Sequence, residues 1–355
     1  MALQAKGTVQ DPVSISFADI ETEFGQNSKR SLGSYRISDG RIRDGGGDSI
    51  FDDLPLDTGI PQSGTISLGD FYSKKLNVFV DCYSDSNNTE YRINARNRYN
   101  NDTNSTKVKV IGGFRNKPTS TKGTKVIIHV NKEFGSAKNN ARYVALRTGS
   151  WDDGTTLILD VGSSGAIYGA GGNGGKGRVC EGGSKGKDGT SALGIEYSGA
   201  TINVYSGGKI QAGYAGGGGG GGGYNDPDKR KIDHASSGGG GGGGAGLPAG
   251  DGGPRGDGAF GSGSNGGEGS AGSKNAGGQG GFGGSGGGAN AGYGGNGGAP
   301  GQSAGDGNGG SGNKCSSGGT GAGSDGAAIR KTQGISFTIN NSGTVNGATD
   351  AVGVE

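Results

Sequence analysis

The chain has 355 residues, of which 89 are glycine and only 28% are hydrophobic, so no single apolar core can run through its whole length. Its 34 basic and 32 acidic residues leave a net charge of +2, which offers no electrostatic footprint for nucleic acid or an anionic membrane. Two histidines and three widely spaced cysteines (Cys82, Cys180, Cys315) supply neither a paired-ligand metal site nor a disulfide framework, and no cofactor is expected.

The opening MALQAKGTVQDP has no signal-peptide-like apolar run, and no stretch reaches the roughly 18 apolar residues of a membrane span, so a product made in a cytosol is expected. Residues 1–75 repeat a Ser-led motif: Ser16-Phe17-Ala18-Asp19-Ile20, Ser31-Leu32-Gly33-Ser34-Tyr35 and Ser67-Leu68-Gly69-Asp70-Phe71. The first and third place Asp three residues after Ser, a capping-box-like helix start, and Phe17, Ile20 and Phe24 form one apolar stripe. The segment is expected to hold short helices and to serve attachment or oligomerisation, because it has too few apolar anchors to fold alone.

Residues 76–161 alternate apolar and polar: Val78, Val80, Cys82; Val108, Val110; Val126, Ile128, Val130; Leu157, Leu159, Val161. Period two predicts half-buried strands, here expected as an antiparallel β-sandwich-like domain with the polar run Asn97 to Thr106 as a loop. Residues 162–333 hold most of the glycine, with unbroken runs at Gly216–Gly223 and Gly238–Gly244 and Gly-Gly-X elsewhere. Residues 334–355 return to alternation with Ile335, Phe337 and Ile339 as a C-terminal strand.

A glycine-rich stretch can be a flexible linker, since glycine has the greatest backbone freedom to lose on folding. It can also be an ordered bundle of polyproline-II-like helices whose outward N–H and C=O groups bond from segment to segment. Strand-like flanks, the Gly-Gly-X pattern and the isolated aromatics Phe260, Phe282 and Tyr293 favour the second, so the expected fold class is mainly β with a polyglycine-II-like bundle.

Acidic pairs at Asp52-Asp53 and Asp152-Asp153 sit in turn-like surroundings, and the Gly-X-Gly-X-X-Gly strings lack the βαβ context of a nucleotide fingerprint. Cys180 lies near Lys176 and Arg178 by chance placement, and no enzymatic activity is expected. The densest side-chain cluster within the glycine is Tyr224-Asn225-Asp226-Pro227-Asp228-Lys229-Arg230-Lys231-Ile232-Asp233-His234. It reads either as a solvated loop or as a recognition loop combining an aromatic with charges and amides. The candidate contact residues are Tyr224, Asn225, Asp226, Lys229, Arg230, Lys231 and His234, with Arg178 and Lys185 near or within Val179 to Asp188, and Arg255 and Phe260 within Leu247 to Phe260.

Residues 155–223 resemble the glycine-rich adhesins at the tips of long tail fibres of T-even-like phages. The resemblance rests on strand, turn, then glycine, as in Thr156-Leu157-Ile158-Leu159-Asp160-Val161 followed by Ala166-Ile167-Tyr168-Gly169, and Thr201-Ile202-Asn203-Val204 followed by Lys209-Ile210-Gln211-Ala212-Gly213, with a third copy at Ile335 to Val345. The Ser-led series is similar to segments of marine cyanophage virion proteins. The resemblance implies a virion tail protein, with polyglycine helices and loops that contact a host outer-surface protein or glycan; the poorly anchored residues 1–75 are expected to bind tail or baseplate partners or to form a homotrimer. Two other readings are a non-receptor-binding virion part (baseplate, neck or head fibre) with the glycine as rigid spacer, and an ice binder, against which the charged 224–234 cluster argues.

Overall fold

The computed structural model describes residues 14–24, 31–35, 60–61, 63–82, 93–101, 108–110, 118–138, 140, 142–226 and 232–354. The alternating segments are strands, and the molecule is mainly β. One sheet contains β1 (Asn77–Cys82), β4 (Lys125–Val130), β7 (Thr156–Val161), β10 (Ala200–Val204) and β18 (Phe337–Asn341), all parallel, with β3 (Val108–Val110) antiparallel on the free side of β1. A second contains β5 (Glu133–Phe134), β8 (Ala166–Tyr168), β11 (Lys209–Gln211) and β19 (Thr344–Asn346). A third contains β2 (Ile93–Asn94), β6 (Val144–Arg147), β9 (Ser191–Ile195), β17 (Ile329–Lys331) and β20 (Ala351–Val352).

From β4 onward the chain visits first, second and third sheet in turn and then starts again, so it coils around three faces. Equivalent side chains stack from turn to turn: Val80, Ile128, Leu159, Ile202 and Ile339 stand in register, and Phe134, Ile167 and Ile210 do the same on the second face. All of these except Ile339 are essentially inaccessible to solvent. The antiparallel sandwich expected over 76–161 is thereby corrected. Alternation marks the buried side of a strand, and that mark is the same whether the neighbour runs parallel or antiparallel. Residues Ala95–Asn101, expected to be loop from Asn97 onward, form helix α2, whose entry is tied by Asn97 N–H donating to Asn94 Oδ1 at 3.0 Å and which buries Tyr99.

The Ser-led motifs converge. Ser16 and Asp19 exchange reciprocal hydrogen bonds at the start of α1 (Phe17–Phe24), with Ser16 N–H to Asp19 Oδ2 at 2.8 Å and Asp19 N–H to Ser16 Oγ at 3.2 Å. The Ser16 N–H and the Ser16 hydroxyl, 2.7 Å from Oδ2, both donate to the carboxylate and hold Asp19 below the usual range. The second and third motifs make 3₁₀ turns at Leu32–Tyr35 and Leu68–Phe71. The rings of Phe24, Tyr35 and Phe71 form a near-equilateral triangle with centroids 5.7 to 6.2 Å apart. Leu76 N–H donates to Glu23 Oε1 at 2.9 Å, tying α1 to the entry of β1, and these rings join the main core.

Two insertions, 169–190 between β8 and β9 and 212–328 between β11 and β17, leave the coil at the same corner, between second and third sheets. They fold back on themselves as extended segments, mostly with no helix or strand assignment. Within segment 213–222 successive residues bond to different neighbours: Gly216 and Gly219 donate to Lys187 and Ser184, Gly217 and Gly220 to Gly242 and Gly239, and Gly218 and Gly221 to Gly305 and Asn308, all at 2.9 to 3.0 Å. The three-residue repeat lets one chain serve neighbours on all sides.

Segments 213–222 and 237–246 are central, enclosed by 169–178, 182–190, 248–257, 263–273, 276–284, 290–299, 302–311 and 317–326. This explains where the unbroken glycine runs lie. A Cβ at Gly218 would sit 1.8 Å from the Thr320 carbonyl oxygen, and one at Gly241 would sit 2.1 Å from that of Gly217. On the perimeter every third residue can point outward, and several such side chains stitch adjacent segments. Asn173 Oδ1 accepts Asp251 N–H at 3.0 Å, Asp188 Oδ1 accepts Ser324 N–H at 2.7 Å, Asn296 Oδ1 accepts Gly280 N–H at 2.9 Å, and Asp306 Oδ1 accepts Ala322 N–H at 2.9 Å. The near end is fixed to the coil by Ser136 N–H to Leu247 O at 3.0 Å and by the ion pairs Lys138–Asp251 and Lys274–Glu133 at 2.9 and 2.7 Å.

Candidate functional site

Because the segments run back and forth between two ends, their reversals gather at the end away from the coil. The described reversals there are 179–182, 257–262, 286–288 and 311–316, and with Tyr224 to Asp226 and Ile232 to His234 they bring together the densest non-glycine chemistry of the bundle. The organising element is a hairpin of β12 (Gly223–Asn225) and β13 (His234–Ser236), with β16 (Cys315–Ser316) antiparallel on the other side of β12. Phe260 lies beside it, exchanging backbone bonds with Ala235 at 3.1 and 3.2 Å.

Of the sequence-predicted residues, Tyr224, Asn225, Asp226, His234 and Phe260 meet here, with Arg178 at the same end. The Tyr224 ring packs edge-on against Phe260 with centroids 5.7 Å apart, and its hydroxyl donates to Asp233 Oδ2 at 2.5 Å. That hydrogen bond to a carboxylate favours the neutral phenol and pushes the Tyr224 hydroxyl up to about 12. Asn225 Nδ2 donates to Gly287 O at 2.7 Å, and Asp226 N–H donates to Asn313 Oδ1 at 2.7 Å. Asp226 also pairs with Lys314 at 3.2 Å. His234 Nδ1 accepts Ser262 N–H at 2.9 Å. Among the described residues of the cluster, Asn225, Asp226 and His234 are thus spent on neighbouring loops. Beside the hairpin, Ile232, 73% exposed, and Phe260, 45% exposed, face solvent.

Arg178, which pairs with Glu181 at 2.7 Å, lines an open concavity of about 300 Å³ with Lys176 and Asp257, and Asp257 pairs with Arg255 at 3.4 Å. Lys185 stands exposed on the flank of segment 182–190, away from the hairpin. Lys229, Arg230 and Lys231 lie outside the described residues.

Sequence reasoning missed Ser262, Gly287, Asn313 and Lys314 as parts of this end, and placed Asp233 in the cluster without its tie to the Tyr224 hydroxyl. Their signal is weak, since each depends on which segment neighbours which. Only Gly286-Gly287-Gly288, with φ of 147°, 58° and 80°, announces a tight reversal in sequence. It also missed a covalent tie. Cys180 and Cys315 form a disulfide across 135 residues, which corrects the expectation of no disulfide. The spacing hid it because the bundle, rather than the chain, makes residues 180 and 315 neighbours, with Cα atoms 5.6 Å apart.

Comparison with curated proteins gave no significant match, and comparison with solved structures gave none. The family model described as phage tail fibre adhesin Gp38 matches residues 90–350, a span that includes most of the coil, the whole glycine-rich bundle and every reversal at its far end. The chain therefore belongs to the phage tail fibre adhesin Gp38 family, components of the virion tail that take part in host recognition.

Proposed function

We propose that this chain is the receptor-recognising subunit at the tip of a long tail fibre of T-even-like type, and that it meets the host outer surface through the reversals at the far end of the bundle. It acts by binding and carries no catalysis. The observation that carries this reading is the convergence of those reversals on one surface held away from the coil, with Phe260 and Ile232 exposed upon it. The segments fit a polyglycine-II-like bundle in their three-residue hydrogen-bond repeat. At roughly 3.1 Å per residue such a bundle holds its end about 30 Å from the corner it leaves. A glycine surface offers backbone alone, so discrimination falls to the reversals. Phe260 supplies a rigid aromatic contact for a protein loop or the apolar face of a sugar.

The N-terminal part is the attachment region in the same proposal. The second residue of each Ser-led motif, Phe17, Leu32 and Leu68, remains only partly covered while the fifth is buried. A partly covered apolar residue at the second position of each motif suits a partner surface, such as a fibre end built of cyanophage-like virion proteins. A Phe260→Ala, Ile232→Ser double variant is expected to lose adsorption to host cells at least tenfold while assembling into particles normally. Unchanged adsorption would favour a rigid spacer in place of an adhesive tip.

A further inference from the structure

We infer that His234 is the positioning residue of the far end, the group that sets the relative placement of two separate reversals against the hairpin and so the shape presented to a receptor. The inference deepens the proposed function and rests on it only for its adsorption arm. His234 opens β13, the return strand of the hairpin, and its Nδ1 accepts both the backbone N–H of Ser262 at 2.9 Å and, in the tautomer that leaves Nδ1 free, the Ser262 hydroxyl at 3.1 Å. The ring is held between two glycines. A Cβ at Gly261 would lie 2.4 Å from Nδ1, and one at Gly287 would lie 2.1 Å from ring carbons. No other residue type fits on either side without displacing the imidazole.

The partner strand completes the clamp. Asn225, opposite His234 in the hairpin register, donates to Gly287 O at 2.7 Å, and a Cβ at Gly288 would meet its amide at 2.6 Å. The pair Asn225 and His234 therefore ties reversal 257–262 to reversal 286–288 through one rigid hairpin, and Ser236 Oγ to Ala289 O at 2.9 Å continues the seam. Phe260, two residues before Ser262 and bonded through its backbone to Ala235, is held from its C-terminal side by this tie. A side chain acting this way needs an acceptor at the Nδ1 position and a flat ring between two backbones.

The test uses the full chain. His234→Leu removes the acceptor, His234→Asn keeps an acceptor oxygen near the Nδ1 position, and Gly287→Ala pushes the ring with His234 intact. Amide hydrogen exchange is expected to quicken at least tenfold across 258–262 and 286–288 in His234→Leu and Gly287→Ala. Protection at 216–222 should be unchanged, and His234→Asn should recover most of the loss at Ser262. Adsorption should fall in the same order. Native exchange at both reversals in His234→Leu, or loss in His234→Asn equal to that in His234→Leu, overturns the positioning role. Altered exchange with native adsorption in His234→Leu also overturns it where the Phe260→Ala, Ile232→Ser variant loses adsorption. If that double variant adsorbs normally, the loop reading has failed and the exchange measurement alone decides the positioning role.

Discussion

The glycine lattice makes a sharp prediction at Gly241, in the middle of central segment 237–246. A Cβ there would lie 2.1 Å from the Gly217 carbonyl oxygen, whereas ordinary contact begins near 3.4 Å, so segments 213–222 and 237–246 must part by about 1.3 Å, the difference of those two distances. The bonds Gly217 N–H to Gly242 O and Gly220 N–H to Gly239 O, both 2.9 Å, would stretch past 4 Å and strand buried donors and acceptors that water cannot reach. At roughly 1–3 kcal/mol for each bond broken, Gly241→Ala should cost about 2–6 kcal/mol. That is a large share of the roughly 5–15 kcal/mol by which a domain is stable. Gly318 on perimeter segment 317–326 is the control, because a Cβ there meets nothing within 4 Å; Gly318→Ala should change stability by less than about 0.5 kcal/mol. Scanning calorimetry on the two variants, with amide exchange across 213–222, reads the difference. Equal unfolding temperatures would refute the close-approach argument, because the penalty is local to the enclosed segments and has no counterpart on the perimeter.

Replacing Cys180 and Cys315 by serine, which removes a cross-link spanning 135 residues, should lower stability by roughly 2–4 kcal/mol and quicken exchange at 179–182 and 311–316, as read by mass spectrometry with and without reductant. Tyr224 should be among the last tyrosines to ionise in an ultraviolet titration, near 12, and Asp233→Asn should bring it back toward 10. Since its folded value lies above the unfolded value of 10, its contribution to the hairpin is fully present below pH 10 and is lost as pH climbs toward 12; hairpin exchange that is flat across that window would contradict the assigned hydrogen bond.

Period-two alternation by itself determined that Val126, Ile128 and Val130, and Leu157, Leu159 and Val161, are buried strand faces, and Ser-x-x-Asp determined the helix start at Ser16, because both signals depend on residues within one turn or one strand. The unbroken runs at Gly216–Gly223 and Gly238–Gly244 likewise marked places where no Cβ fits. Tertiary structure alone decided that the strands pair in parallel around three faces. A strand's pattern records what it buries and is silent about the direction of its neighbour. It also decided which segments of the bundle are central and that residues 180 and 315 touch. Asn225 and His234, which read in sequence as free recognition groups, turned out to face Gly287 and Ser262. A segment of glycine carries no side-chain address, so the identity of its neighbour follows from the lengths of all the segments folded together, and the shape of the far end appears only when that lattice is complete.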